Sequence, residues 1–156
     1  MNASSDYEIT CASCHMPSRN LLEFKCSACG GPLQVKLRRD FDAEQIRTKT
    51  FSLWRYKEFF PYIKEKCIVT LGEGWTSLVK FDGGVNFKLD NLNPTGSFKD
   101  RGSSVLISAL HESVRQADGF LSEDSSGNAG ASMAAYSARA GLRATIYVPR
   151  TVSGPK

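Results

Sequence analysis

No apolar run in this chain approaches the roughly 20 consecutive residues that a membrane-spanning helix needs. The start, Met1-Asn2-Ala3-Ser4-Ser5-Asp6, has no apolar core of the kind a signal peptide carries. These absences predict a soluble, cytoplasmic protein with no membrane partner. Nor is one sign of charge massed anywhere: 20 Lys and Arg against 16 Asp and Glu leave +4 over 156 residues. A field that thin argues against nucleic acid as a partner. There is no internal repeat and no low-complexity tract. Cysteine occurs five times, an odd number that fits poorly with a complete disulfide framework. What is left is a chain long enough for one compact domain with a small appendage.

Four of the cysteines are paired in sequence. Cys11-Ala12-Ser13-Cys14 and Cys26-Ser27-Ala28-Cys29 are two C-x2-C knuckles with eleven residues between them. Two thiolates two residues apart reach one ion from a tight turn, and two such turns complete a tetrahedral site. Gly30-Gly31-Pro32 follows the second knuckle and supplies permissive backbone. Short strand-like runs at Leu21–Phe24 and Leu33–Leu37 complete the pattern of a four-cysteine zinc ribbon over residues 1–36. With all four positions cysteine, no place is left for water, so the zinc would be structural. His15 is expected to stay out of the coordination sphere, and Cys67 to be a buried free thiol.

Residues 37–70 read as a linker and helical arm. The segment 38–49 is polar with weak periodicity. Phe51 to Phe60 is dense in aromatics and stops at Pro61, and Leu53, Trp54 and Phe60 predict an amphipathic helix packed on the domain. Its alternation of aromatic and basic residues is also the pattern of a nucleic-acid stacking surface, a weaker fit because those apolar side chains need burial. Beyond it, Leu71-Gly72-Glu73-Gly74 is a glycine-flexed loop. Leu78–Phe81 and Val85–Asp90, joined by Asp82-Gly83-Gly84, predict a hairpin.

From residue 93 the pattern changes to alternating helix and strand. Asn93-Pro94-Thr95-Gly96-Ser97-Phe98-Lys99-Asp100-Arg101-Gly102 is a turn-rich loop opening a helix. A lysine in the first turn meets the positive end of the helix dipole, which disfavours its ammonium form; partial burial would do so further and make the amine a nucleophile. By itself, a solvated surface lysine is the ordinary reading. Phe98, Gly102, Val105, Leu106, Ala109, Leu110, Val114 and Ala117 form a helical stripe that predicts the buried face. A strand at Gly119–Leu121, a second helix opened by Ser125-Ser126-Gly127-Asn128-Ala129-Gly130 and ended by Gly141, and a strand over Ala144–Pro149 follow. This succession predicts an α/β fold with a largely parallel sheet. The serine-glycine-asparagine loop lies between strand and helix, where such sheets bind ligands and where backbone N–H groups favour an anion.

These pieces, in this order, resemble the fold-type II family of pyridoxal-phosphate enzymes and, within it, the threonine synthases. The matching residues are the four-cysteine N-terminus running into Cys29-Gly30-Gly31-Pro32-Leu33, Leu71 to Gly74, Asn93 to Gly102, and Ser125 to Ser132. Asp100 after the lysine is similar to threonine synthases rather than to amino-acid dehydratases, and Ser77 departs from the family's proline. The resemblance implies a fold-type II catalytic domain from residue 71, with pyridoxal 5'-phosphate as cofactor. Lys99 would link covalently to the cofactor aldehyde, Phe98 would shape its pocket, and Asn128 would hydrogen-bond its 3'-oxygen. Ser125, Ser126, Gly127, Asn128 and Ala129 would grip the substrate α-carboxylate. The implied reaction converts O-phospho-L-homoserine and water to L-threonine and phosphate.

Family members are roughly twice this length or more. The cofactor-phosphate loop and the partner of the pyridine nitrogen are therefore expected beyond Lys156. Residues 71–156 then form the N-terminal part of a catalytic domain whose C-terminal half is a needed partner, inactive alone and homo-oligomeric when complete. Another enzyme of the same fold, such as a threonine or serine dehydratase, and a non-enzymatic zinc-ribbon binding module are the alternatives.

Overall fold

The computed structural model describes residues 6–151. The start of the chain and the stretch from Val152 to Lys156, used above for the signal-peptide and chain-end expectations, lie outside the described residues. Three small sheets and two long helices account for the order. Strand β1 (Tyr7–Cys11) pairs antiparallel with β2 (Pro17–Ser18) and β3 (Leu33–Leu37), with Ile9 opposite Val35 and Cys11 opposite Leu33. The expected strand at Leu21–Phe24 does not form. Asn20 captures the chain instead: its Oδ1 accepts the Leu22 N–H at 2.9 Å and its carbonyl accepts the Glu23 N–H at 3.3 Å. Such a side-chain-closed turn competes directly with extended backbone.

The arm is tighter than an α-helix. Leu53–Phe59 is a 3-10 segment broken at Tyr56, capped at its start by Ser52, whose Oγ accepts the Trp54 N–H at 3.2 Å. Trp54 is buried, and its ring indexes a run of edge-on contacts through Phe60 and Tyr62 to Tyr7 of the ribbon. Burial of Trp54 removes it from any stacking surface. Arg47 pins the arm further through Glu58 and Glu65, each at 2.7 Å. Strands β4 (Leu78–Lys80) and β5 (Asn86–Lys88) form the expected hairpin around the Asp82–Gly84 turn.

Helix α1 (Lys99–Gln116) leads to β6 (Leu121–Asp124), then α2 (Asn128–Ala140) and β7 (Ala144–Tyr147). β6 and β7 pair in parallel, Leu121 opposite Ala144, the one parallel pair among the described residues. Gly141 ends α2 in the left-handed conformation at φ 66°. The core joins Val69, Ile107, Leu121, Met133 and Tyr136.

The buried face of α1 matches the predicted stripe only toward its C-terminal end, where Leu110 and Val114 pack against that core. Asp100, Ser103, Ser104, Ile107 and Ser108 face inward, at the i, i+3, i+4, i+7 and i+8 positions of a helix face. Gly102, Val105, Leu106 and Ala109 lie on another side. There they line a groove of about 520 Å³ with Ile9, Leu33 and Val35 of the ribbon and Phe60 and Tyr62 of the arm. The reason is chemical. Small hydroxyl side chains let two helices approach closely, and Ser103, Ser104, Ser108 and Ser132 each find a buried hydrogen-bond partner.

Candidate active site and metal centre

The two knuckles bring their sulfurs to one point. The Sγ atoms of Cys11, Cys14, Cys26 and Cys29 all lie within 4.8 Å of one another, Cys11 to Cys29 at 3.5 Å and Cys14 to Cys26 at 3.6 Å. A tetrahedron with metal–sulfur bonds of about 2.3 Å has sulfurs about 3.8 Å apart, so this donor set fits a metal ion. Backbone amides already point at the sulfurs: Ser13 N–H to Cys11 at 3.3 Å, Ala28 N–H to Cys26 at 3.4 Å and Gly31 N–H to Cys29 at 3.4 Å. The Cys14 and Ser13 amides bring the Cys11 thiol down to about 6. The Gly31 amide also favours the Cys29 thiolate, but the neighbouring Cys14 and Cys11 sulfurs outweigh it and push Cys29 up to about 12. Four thiolates this close repel unless a cation joins them. His15 is exposed, and Cys67 is a buried free thiol, as expected.

The lysine loop is held from two sides. Asn93 is buried; its Oδ1 accepts the Gly74 N–H at 2.9 Å and its Nδ2 donates to the Asp90 carbonyl at 2.8 Å. Arg101 grips Asp90 with two bonds, Nε to Oδ2 at 3.0 Å and Nη2 to Oδ1 at 2.8 Å, and Thr76 donates to the same carboxylate at 2.7 Å. Arg101, helped by Thr76, draws the Asp90 carboxyl down to about 2. A carboxyl lowered in the fold stabilises it above its unfolded value near 3.8 and loses that contribution as pH falls through about 2. Both side chains are a quarter or more exposed, so solvent screening reduces the contribution to about 1 kcal/mol. The urea midpoint of Asp90→Asn is accordingly expected below that of wild type at pH 5, with the gap closing toward pH 2. A gap that stays constant with pH would contradict the assignment.

Beneath the lysine lies a buried carboxylate. Asp100 has no exposed surface; its Oδ2 accepts the Thr95 N–H at 2.7 Å, and its Oδ1 accepts the hydroxyls of Thr95 at 2.5 Å and Ser132 at 2.6 Å. The Ser103 hydroxyl lies 2.8 Å from that of Ser132. One turn further along α1, Ser104 Oγ lies 2.6 Å from Oε1 of the equally buried Glu73, whose Oε2 accepts the Tyr136 hydroxyl at 2.7 Å. The Thr70 hydroxyl and the Leu71 N–H also reach Glu73, at 3.1 Å and 3.0 Å. Burial, then the Glu73 bond, hold the Tyr136 phenol well above its ordinary range, so it stays a donor. Asp100 meets Ser132, and Ser104 meets Tyr136 through Glu73. Both pairs are 32 residues apart, so α1 and α2 run parallel in a fixed register with their N-termini at one end.

That register sets the two loops at the same end of the helix pair. Ser125 to Ala129 opens α2, its position fixed by the Ser125 N–H donating to the Tyr147 carbonyl at 3.0 Å at the end of β7. Gly130 is required by contact: a Cβ there would lie 2.8 Å from the Ser125 carbonyl oxygen and 2.9 Å from Ile146 Cγ2. Asn128 and Ser126 are exposed and Ser125, Gly127 and Ala129 half-buried. The partial burial that would further disfavour the ammonium of Lys99 is not found among these residues. Lys99 is exposed, with its Nζ 4.6 Å from the centre of the Phe98 ring, and Phe98 is 58% exposed. The first turn of α1 points Asp100 inward, and Lys99, about 100° around the helix, projects outward.

Sequence reasoning missed Glu73, Thr95, Ser103, Ser104, Ser132 and Tyr136 as supports of the site. The signal was present as small polar residues at helical spacing on α1 and α2, on a face where apolar residues were sought. No helix of the described residues is long and apolar enough to cross a membrane.

Residues 69–156, more than half of the chain, match the family model for pyridoxal-phosphate dependent enzymes. Among similar curated proteins is the threonine synthase of Methanocaldococcus jannaschii, 35% identical over 134 residues that cover 78% of this chain and 32% of the relative. The threonine synthase of Methanosarcina acetivorans is 32% identical over 155 residues, covering 92% of this chain and 37% of the relative. That of Halalkalibacterium halodurans is 40% identical over 110 residues, 63% and 30%. The chain thus spans about a third of the length of the relatives it matches. With the lysine loop and the glycine-asparagine loop both inside the matched residues, the chain belongs to the pyridoxal-phosphate dependent enzyme family.

Proposed function

We propose that this chain carries the lysine-bearing part of a threonine synthase site, which converts O-phospho-L-homoserine and water to L-threonine and phosphate. The observation that carries the reading is the parallel α1–α2 register, which holds Lys99 and the Ser125–Ala129 loop at one end of the same helix pair. Lys99 is the residue that would hold the cofactor covalently and, once displaced by the substrate amine, move protons at the substrate's Cα and Cβ. Bound pyridoxal phosphate supplies an electron sink for those carbons. Phe98 borders the cofactor, Asn128 donates to its 3'-oxygen, and Ser125 to Ala129 receive the α-carboxylate at the start of α2, where backbone N–H groups favour an anion. Residues 1–36 form the ribbon with a structural zinc on Cys11, Cys14, Cys26 and Cys29, residues 37–70 the arm, and residues 71–156 one part of the catalytic domain. The remaining two thirds of a relative's length would supply the rest of the site.

Borohydride reduction in the presence of pyridoxal phosphate, followed by peptide mapping, tests this. It is run on the chain alone and on the chain joined to the remaining portion of the Methanocaldococcus relative. Label is expected on Lys99 in the joined protein, with Lys99→Ala abolishing it. Label spread over many lysines in both, or absent from both, overturns the role of Lys99. In the joined protein, phosphate release from O-phosphohomoserine and none of ammonia from threonine is expected; the reverse would identify a dehydratase.

A further inference from the structure

We propose that Asp100 is a positioning residue for the site: its carboxylate fixes the rotation of the first turn of α1, and so the direction of Lys99, relative to the α2 loop. The inference rests on the reading of Lys99 given above. Three observations carry it. Asp100 is completely buried, and among the described residues it forms no ion pair. Its oxygens are divided between two distant segments: Thr95, five residues back in the lysine loop, through both N–H and hydroxyl, and Ser132, one turn into α2. It is also the immediate neighbour of Lys99, so on a helix the direction of one side chain sets that of the other.

A buried carboxylate without a cation is costly in desolvation, and an apolar residue of similar size would avoid that cost. What an apolar residue cannot do is bind the lysine loop and α2 directionally at once. The carboxylate offers only acceptors, and three donors converge on it. An amide can be accommodated, its carbonyl on the Thr95 N–H and its NH2 toward the Thr95 and Ser132 hydroxyls, which can turn to accept; the substitution that breaks the joint is Asp100→Leu, of similar volume and without acceptors. The hydroxyl of Ser132 sits one turn past Asn128, so the joint also registers the first turn of α2, where the substrate carboxylate is read.

The variants Asp100→Leu, Thr95→Ala, Thr95→Ser and Ser132→Ala are compared with Ser108→Ala. Ser108 lies on the same buried face, where it accepts the Val69 N–H at 2.8 Å, two turns from Lys99. The measured quantities are the rate of Lys99-specific labelling by pyridoxal phosphate and borohydride in the joined protein, the urea midpoint, and amide hydrogen exchange. Misplacing a reacting amine by about 1 Å costs on the order of 100-fold. Asp100→Leu and Thr95→Ala are therefore expected to slow Lys99 labelling by about 10- to 100-fold. Thr95→Ser, which keeps the hydroxyl, stays near wild type, and Ser108→Ala lowers the urea midpoint without slowing the labelling to that extent. Equal slowing by Ser108→Ala at equal loss of stability, or wild-type labelling in Asp100→Leu, overturns the proposal. If wild type itself fails to label at Lys99, the parent reading fails, and exchange decides the joint alone. Asp100→Leu must speed exchange in both 93–98 and 125–131 while sparing β1–β3; a response in only one of the two segments, or everywhere, overturns it.

Discussion

Replacing Cys26 with serine is expected to strip the metal from the ribbon and unfold residues 7–37 while leaving α1 and α2 helical. Wild type should carry about one zinc ion per chain, and the variant about tenfold less under chelator challenge. The magnitude follows from how little else holds this segment. Of its described apolar residues only Ile9 and the cysteines Cys11 and Cys26 are buried, while Leu22, Phe24, Val35 and Leu37 are exposed. A three-stranded sheet with so small a core does not offset its own chain entropy. Metal binding by such four-ligand sites is worth about 10–16 kcal/mol in isolated zinc-finger peptides, far above any packing term available here. Loss of the ribbon also uncovers the groove face of α1, Val105, Leu106 and Ala109, so binding of an apolar dye should rise. Metal analysis and hydrogen exchange by segment check the result. Retained protection of β1–β3 in a metal-free chain would overturn it.

Glu73→Leu is expected to be the most damaging substitution outside the ribbon, lowering stability by about 3–5 kcal/mol. The side chain has no exposed surface and gathers the Tyr136 and Thr70 hydroxyls and the Leu71 N–H, with Ser104 at 2.6 Å. Leucine would leave these polar groups buried without their acceptor in one stroke. Ser104 also accepts the Trp54 indole N–H at 3.1 Å and sits 2.8 Å from the Val69 carbonyl. The loss therefore spreads to the arm and to the entry of the α/β unit. Glu73→Gln, which keeps shape and one acceptor, should cost about 1–3 kcal/mol, and Tyr136→Phe about 1–2 kcal/mol. A double-mutant cycle between Glu73→Gln and Tyr136→Phe should show coupling of about 0.5–3 kcal/mol. Urea unfolding of the three variants measures all of this. Costs that add without coupling would mean that Glu73 and Tyr136 do not act through their shared bond. At 5–15 kcal/mol of total stability for a typical domain, Glu73→Leu could by itself populate the unfolded chain.

The sequence by itself determined the elements whose causes are local. The two C-x2-C knuckles specify a four-sulfur cluster because the spacing alone sets what one turn can reach, and Cys11, Cys14, Cys26 and Cys29 meet within 4.8 Å. The hairpin at residues 78–88, both long helices, the αL stop at Gly141 and the parallel strands on either side of α2 follow from turn residues and periodicity read over a few positions. The lysine and asparagine loops were legible for the same reason, as turn-rich segments opening helices. Even a local cause can be misjudged: the Asn20 turn outcompeted the strand-like Leu21–Phe24 because one side-chain acceptor closed the backbone.

What only the tertiary structure decided is which way those helices face. An apolar stripe on α1 is the natural candidate for its buried side, yet four of the five residues inside, Asp100, Ser103, Ser104 and Ser108, are polar, and Ile107 alone is apolar. A serine or carboxylate can be buried only where distant groups satisfy it. Apart from Thr95, five residues from Asp100, their partners Val69, Glu73 and Ser132 lie between 29 and 39 residues away along the hydrogen-bonded pairs. No local window contains that information. Lys99 was therefore readable as a residue in the first turn of a helix, while its exposure and its place at the same end of the helix pair as the α2 loop follow from contacts made between segments far apart in the chain.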